Sequence, residues 1–547
     1  MLAFVIVGLR SKSRRSLGTC IAKARLACTY FAAGVLCYAL DSNSFAIVDR
    51  FCILLSVSFN KRYLLILIPL ALSSFTHLWN ATGFPDLFYD EGIYMRRAMN
   101  VLEHQMLQEN LYYYDHPLFG QIFLAGLLAL TNYPDSLNPS ISAQSIESLY
   151  LVPKIWMGVL AVIDTFLIYK IADYKYGSSR IAFLASILFA VMPMTWLTRR
   201  ILLESLLLPF LLSSILFALQ LQRSHNKRQQ QYFAMMLSGT CLGLAIFTKI
   251  PVFTMIPLIG FSVYTGSSKE KNQLRNVGLW FIPVVLIPMI WPAESISTGS
   301  FDNWVRGVLT QTQRHSDGIT TAFAGFLITD PVLLALGILG FGYAILKKDL
   351  FVLLWVGPFL VFLWLIGYVQ YFHVMPVLPV FCISAALWIN DVINKVGPGR
   401  RLIQHGIVAS IVVFGLASTT LLITTNVTSS QFEAAAFALS LADNDTTIIA
   451  NPVYSWPYNF VFHVPHAMND YRDVMYSAIP TDKVVLISDP HFRGSINEAP
   501  IVQTYNSTTS VRTFYGNARS YDPDLYPYTS MTLNYQGNDI DVRQKLP

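Results

Sequence analysis

The sequence predicts a polytopic α-helical membrane protein with a small extracytoplasmic α/β domain at its C-terminal end, and three observations carry that prediction. Apolar runs of roughly 17–22 residues recur along most of the chain, each long enough to cross a bilayer core of about 30 Å. Only 13% of the 547 residues are charged against 54% hydrophobic, and mean hydropathy is +0.47; a soluble domain carries about a quarter charged residues. Beyond residue 425 the composition turns to Asn, Thr, Tyr and Pro, with strand-like runs "TTIIA" (446–450) and "KVVLIS" (483–488).

In chain order, residues 1–60 are basic early (Arg10, Lys12, Arg14, Arg15, Lys23, Arg25), and Asp41 and Asp49 interrupt the apolar stretch that follows. They read as an N-terminal extension, cytoplasmic or of uncertain placement, without a clear signal-peptide cleavage site. From 61 to 425 the apolar runs predict about eleven spans: 61–79, 151–172, 180–197, 201–222, 232–248, 251–266, 277–295, 330–347, 350–368, 372–390 and 403–424. The run 118–131, at about 14 residues, is short for a span and reads as an interfacial or re-entrant helix. With that choice the basic connectors share one side, among them Lys175/Arg180, Arg223/Lys227/Arg228, Lys347/Lys348 and Arg400/Arg401. The positive-inside rule makes that side cytoplasmic.

Three regions then face the exterior: a first loop at 80–150, a loop at about 296–329, and the domain at 426–547. Asn-x-Ser/Thr sequons at Asn80, Asn426, Asn444 and Asn506 fall on that face, in agreement with it. The basic connectors account for a pI near 8.8 without nucleic acid. The six cysteines include no CxxC pair and none lies in the tail, which argues against a disulfide framework or a zinc site.

On the outer face the unusual residues collect. "DLFYDEGIYMRR" (86–97) carries Asp90 and Glu91, and "YYYDHPLFGQIFLAG" (112–126) carries Asp115 and His116. Arg199, Arg200 and Glu204 lie in "LTRRILLESLLLPF" (197–210), Lys249 in "GLAIFTKIPVF" (243–253), and Tyr371 and His373 in "VQYFHVMPVLP" (369–379). A charge at mid-bilayer costs about 2.5–3.5 kcal/mol on insertion scales, so charges beside apolar helices are paired or functional. Acids able to take a hydroxyl proton, with Arg and Lys able to hold a phosphate, suit group transfer at a membrane surface.

"FYDEGIY", "YDHPLFGQIFLA", "RRILLESLLLPFLL", "GLAIFTK" and "QYFHVMPVLP" stand in the order of motifs of the protein O-mannosyltransferase superfamily, which the chain resembles over about residues 61–425. That superfamily includes the bacterial lipid A aminoarabinose transferases and has the GT-C glycosyltransferase fold. The resemblance implies a GT-C-like transmembrane domain and an inverting transfer from a polyprenyl- or dolichyl-phosphate sugar donor to an acceptor on the non-cytoplasmic side. The family's paired acids match Asp90 and Glu91. Its His-Pro-Pro-Leu segment matches His116–Leu118 with one proline missing. Its Arg before a Leu-Leu-acid run matches Arg200 and Glu204, and its Lys after Gly-Leu-Ala matches Lys249.

Asp90 is expected to be the general base and Glu91 to orient it; the structural alternatives are a helix cap and a first-turn glutamate favoured by the helix dipole. Asp115, His116, Arg200, Glu204, Lys249, Tyr371 and His373 are expected to bind substrate. Against this, basic side chains at span ends snorkel, as Arg199 is expected to, and an Arg200–Glu204 pair at i,i+4 suits a purely structural role. Trp304, Arg306, Arg314 and His315 could close over the sugar. No cofactor is required by the pattern; two or three carboxylates could hold a divalent ion, but no ligand spacing demands one. The expected partners are the lipid-phosphate sugar, a protein, lipid or glycan acceptor, and membrane lipids, with no nucleic acid. The rival from another class is a secondary transporter, which would set its charges near the midplane in inverted repeats.

Overall fold

The computed structural model describes residues 65–107, 114–223, 228–267, 273–314, 318–395, 401–516 and 539–546. The N-terminal extension expected at 1–60, and His315, lie outside them. Residues 65–547 form one compact unit.

Helices form along the apolar runs of the sequence, several of them continuing through an internal proline (Pro153, Pro209, Pro283 and Pro358). α1 (Leu67–Leu78) is followed by α2 (Tyr89–His104) and α3 (Phe119–Ala129). Then come α4 (Ala143–Tyr176), α5 (Ser179–Val191), α6 (Leu203–Arg223), α7 (Arg228–Thr248) and α8 (Ile256–Gly266). α9 (Gln273–Leu286), α10 (Ile290–Ser297), α11 (Phe301–Gln313), α12 (Ile319–Thr329) and α13 (Pro331–Lys347) precede α14 (Leu350–Ile366), α15 (Leu378–Lys395) and α16 (Arg401–Ile423).

A helix stands at each of the eleven expected spans, but length and hydropathy secure fewer crossings among the described residues. Six helices suffice alone, and eight if two bent pairs each count as one span. Leu67–Leu78, Ile250–Gly266 and Leu350–Ile366 are shorter apolar helices. One bent pair joins α5 to a 3₁₀ segment, Pro193–Arg199, at 70°; the other joins α12 to α13 at 119°. Proline opens the second element of each pair, where it cannot accept continuation from the first. A single carboxylate braces both bends. Asp330 accepts the N–H of Leu333 at 2.8 Å, capping α13, and that of Met194 at 3.2 Å. The loop expected at 296–329 is therefore largely helical.

The first long connection also differs in detail. The cap alternative would set Asp90 ahead of the helix, whereas α2 begins at Tyr89. Glu91 accepts the backbone N–H of Phe88 at 3.0 Å, the acid half of a capping box, and closes the first turn early. Asp90 consequently sits inside that turn rather than ahead of the helix.

After α16 the chain forms α17 (Ser429–Ser440), β1 (Thr446–Ile449), α18 (Pro452–Phe460), β2 (Lys483–Ser488), α19 (Pro490–Gly494), α20 (Ala499–Asn506), β3 (Thr509–Phe514) and β4 (Ile540–Lys545). Both strand-like runs become strands. The sheet order is β1-β2-β4-β3, with β1 and β2 parallel and the other pairs antiparallel. Ile449, Val484, Leu486, Phe492 and Ile501 pack into a core that also takes in Tyr471 and Tyr89. Tyr89 belongs to α2, so the C-terminal elements and the first long connection share apolar packing.

Candidate active site

α2 is held by a buried polar network at its first turn. Glu91 is fully buried; its Oε1 accepts the N–H of Ile201 at 3.0 Å, and its Oε2 lies 3.9 Å from Lys154 Nζ and 3.7 Å from Arg200 Nη1. Arg200 donates from Nη2 to Asp86 Oδ1 at 2.6 Å and from Nη1 to the Asp86 carbonyl at 2.7 Å. Lys154 donates to the Pro85 carbonyl at 3.1 Å. Charges this deeply buried persist only when paired, and each of these four has an opposite charge within 3.9 Å. The pair expected between Arg200 and Glu204 does not form: Arg200 turns to Asp86 and Glu91, and Glu204 pairs with Lys249.

A cavity of 1320 Å³ opens beside α2. Asp90, Asp115, His116, Glu204, Lys249 and His373 line it, from five separate segments of the sequence; Glu91, Arg200 and Tyr371 do not. Tyr371 packs instead in an aromatic group with Phe88, Phe372 and Trp196. Arg306 and Arg314 also line the cavity, and the Arg314 guanidinium lies 5.4 Å from the Tyr368 ring centroid. Trp304 stacks on Phe301 and meets Trp291 edge-on.

The four carboxylates that line the cavity differ in their partners. Asp115 is bonded to Arg97 at 2.7 Å. Glu204 is paired with Lys249 and lies 3.9 Å from His373 Nε2. Asp470 accepts from the Tyr89 hydroxyl. Asp90, half-buried, has no such hydrogen bond or ion pair among the described residues. Burial pushes its carboxyl up to about 6; Lys249 and Arg314 act against the rise, and Glu204 and Asp115 add to it. Burial would raise Asp115 as well, but Arg97 and His116 outweigh it and hold that carboxyl down at about 2. His116 is lowered to about 3 by burial, against the pull of Asp115, so it is a neutral imidazole near pH 7. Asp90 thus takes up a proton closer to neutrality than Asp115 does. A raised carboxyl in a cleft is how general bases are tuned.

Sequence reasoning missed the wall built by the C-terminal elements. Asp470, Arg472, Tyr476 and His491 line the same cavity as Asp90, with Tyr89 packed among them. No local pattern marks them, since Tyr89 and Asp470 are 381 positions apart. Arg199, expected to snorkel, is fully buried and donates to the carbonyls of Thr76, Trp79 and Asn80 at 2.7–2.8 Å, closing the C-terminal end of α1. The Asn80 sequon has its side-chain amide engaged with the carbonyls of Ile423 and Thr425. Among the described residues no three His, Cys, Asp or Glu side chains cluster as metal ligands would.

No curated protein matches the chain in sequence. Residues 64–284 match the profile of the dolichyl-phosphate-mannose-protein mannosyltransferase family. Among solved structures the chain is similar to ArnT from Cupriavidus metallidurans bound to undecaprenyl phosphate, with 11% identity and a TM-score of 0.55, covering 90% of this chain and 99% of that one. It is similar to the same protein in the apo state, with 13% identity and a TM-score of 0.54 over 88% and 97% of the two chains. A third likeness is to the archaeal oligosaccharyltransferase AglB from Archaeoglobus fulgidus in complex with an inhibitory peptide and a dolichol-phosphate, with 12% identity and a TM-score of 0.53 over 85% and 75%. The fold is that of the GT-C membrane glycosyltransferases, and within it residues 64–284 match the dolichyl-phosphate-mannose-protein mannosyltransferase profile.

Proposed function

We propose that the protein is an integral-membrane, inverting glycosyltransferase that moves a sugar from a polyprenyl- or dolichyl-phosphate donor to a hydroxyl of a protein, lipid or glycan. The observation that carries this reading is Asp90. It is a half-buried carboxylate without an ion pair among the described residues, on a cavity that Lys249 and Arg314 also line, formed by helix ends and the C-terminal domain.

In the reaction, the acceptor oxygen attacks the anomeric carbon as Asp90 takes its proton. The carbon–oxygen bond to the phosphate breaks, and its electron pair leaves with the polyprenyl phosphate, whose charge rises from −1 to −2. Lys249 and Arg314 are placed to meet that growing charge. In-line displacement inverts the anomeric configuration. Placing Asp90 on the non-cytoplasmic side follows from the positive-inside count of the connectors. The rival transport reading finds no counterpart among the likenesses above.

Membranes containing the wild-type chain, incubated with a panel of radiolabelled polyprenyl-phosphate sugars, test the proposal. Release of polyprenyl phosphate, with label in an inverted glycosidic linkage, supports it. A chain that binds such lipids yet transfers no sugar to water or to any protein, lipid or glycan acceptor overturns it.

A further inference from the structure

The wall contributed by the C-terminal domain touches α2 on both sides of Asp90, at Tyr89 and at Gly92. Tyr89, immediately before it, donates its hydroxyl to Asp470. Its ring stacks on His491 with centroids 4.5 Å apart and planes 12° apart, and the Arg472 guanidinium lies 4.9 Å from its centroid. Arg472 also reaches the Tyr89 oxygen at 3.4 Å. Tyr471, which meets both Tyr89 and His491 edge-on, bonds to His491 Nδ1 at 3.1 Å and to Ser495 at 2.8 Å.

Two residues beyond Asp90, Gly92 faces α18 with no room for a side chain. A Cβ there would collide with the backbone of Pro452 and Val453. α18 is itself anchored to the helical body, because Tyr150 of α4 donates to the Val453 carbonyl and accepts from Trp456 Nε1 at 2.6 Å. The first turn of α2 is therefore gripped from the C-terminal side at Tyr89 and Gly92, and from the helical body at Glu91.

We infer that the C-terminal domain positions the catalytic carboxylate: Asp470 and Arg472 lock Tyr89, and through it set the backbone from which Asp90 projects. The inference rests on the reading of Asp90 as base. Neighbouring Cα atoms are about 3.8 Å apart, so a fixed Tyr89 leaves Asp90 only its side-chain torsions. Asp470 and Arg472 are positioning residues in this scheme, acting through Tyr89 rather than on the sugar.

Tyr89→Phe removes the hydroxyl while keeping the ring for His491 and Arg472; Asp470→Asn and Arg472→Ala attack the lock from the other side. Made in the full chain, each is expected to lower kcat for sugar transfer about 10–100-fold, the scale of a small misplacement of a reacting group, with donor KM unchanged. Arg472→Lys, which keeps a cation over the ring, is expected to recover part of the loss. Hydrogen exchange of the amides at 89–95, measured on the same proteins in detergent, is expected to speed up in Tyr89→Phe and Asp470→Asn. A kcat within twofold of wild type in all three variants overturns the inference. So does a raised acceptor KM at unchanged kcat, which would make the cluster an acceptor contact. Should the wild type transfer no sugar at all, the functional reading fails separately, and unchanged exchange at 89–95 still overturns the lock.

Discussion

Glu91 Oε1 accepts the backbone N–H of Ile201 at 3.0 Å, from a position sealed from solvent. This bond ties the first turn of α2 to the chain just ahead of α6, and it separates two adjacent carboxylates by role. Asp90 opens on the cavity, whereas Glu91 faces Lys154 and Arg200. Removing one member of a buried charge network leaves the others uncompensated, at a cost of about 3–5 kcal/mol. Glu91→Ala is therefore expected to lower thermal stability in detergent by that order. Asp90→Asn, which breaks no ion pair among the described residues, is expected to melt near wild type. Equal melting points for the two variants would contradict the division.

With Asp90 as the proposed general base, the acid limb of the pH profile is expected to follow its titration. A general base works deprotonated, and burial pushes this carboxyl up to about 6, so kcat/KM is full above that pH and falls about tenfold per unit below it. Lys249 opposes the rise and Glu204 adds to it. Glu204→Gln removes a negative neighbour and releases Lys249 from its pair, so the limb is expected to move to lower pH. Lys249→Met is expected to move it higher. Limbs that stay in place in both variants would remove Asp90 as the titrating group.

Arg199 caps α1 rather than reaching for the membrane surface. Its guanidinium meets three backbone carbonyls at the end of that helix, where a cation also suits the helix dipole. Arg199→Met leaves those carbonyls without their donor and is expected to cost about 1–3 kcal/mol for the unsatisfied groups. A snorkelling arginine would lose almost nothing. Denaturant or thermal melts of the two proteins decide between these outcomes.

How much of this was legible in the sequence depends on whether a feature is local. Apolar length placed α4, α6, α7 and α16 close to their observed positions, and β-branched runs marked β1 and β2, because both signals report burial of neighbours in sequence. The convergence of Asp90, Asp115, His116, Glu204, Lys249 and His373 on one cavity was legible through the side of the membrane each segment reaches. Ion-pair choice was not. Arg200 and Glu204 have the spacing of a helical pair, but Arg200 falls before α6 begins, in extended conformation, and so meets Asp86 instead. The contribution of Asp470, Arg472 and His491 depends on how the C-terminal elements dock on α2, which no periodicity records. Among the described residues six helices pass by length and hydropathy, and the two bent pairs at Pro193 and Pro331 raise that to eight, with α1, α8 and α14 apolar but shorter.

Gly307 of α11 lies against the backbone of Tyr114, beside Asp115; a Cβ there would collide with the Tyr114 carbonyl. α11 also carries Arg306 and ends next to Arg314, both on the cavity. Gly307→Ala is expected to displace this helix and raise donor KM severalfold while leaving the melting point within about 1–3 kcal/mol of wild type, the cost of overpacking one contact. Steady-state kinetics with varied donor check it; an unchanged donor KM would mean that α11 takes no part in holding the donor.

The central claim is that Asp90 removes the acceptor proton, and the direct measurement is sugar transfer by Asp90→Asn at saturating donor. Loss of a positioned general base costs about 10²–10⁴-fold, so the rate is expected to fall by that factor while polyprenyl-phosphate binding and the melting point stay near wild type. Transfer at the wild-type rate by the folded variant would contradict the account.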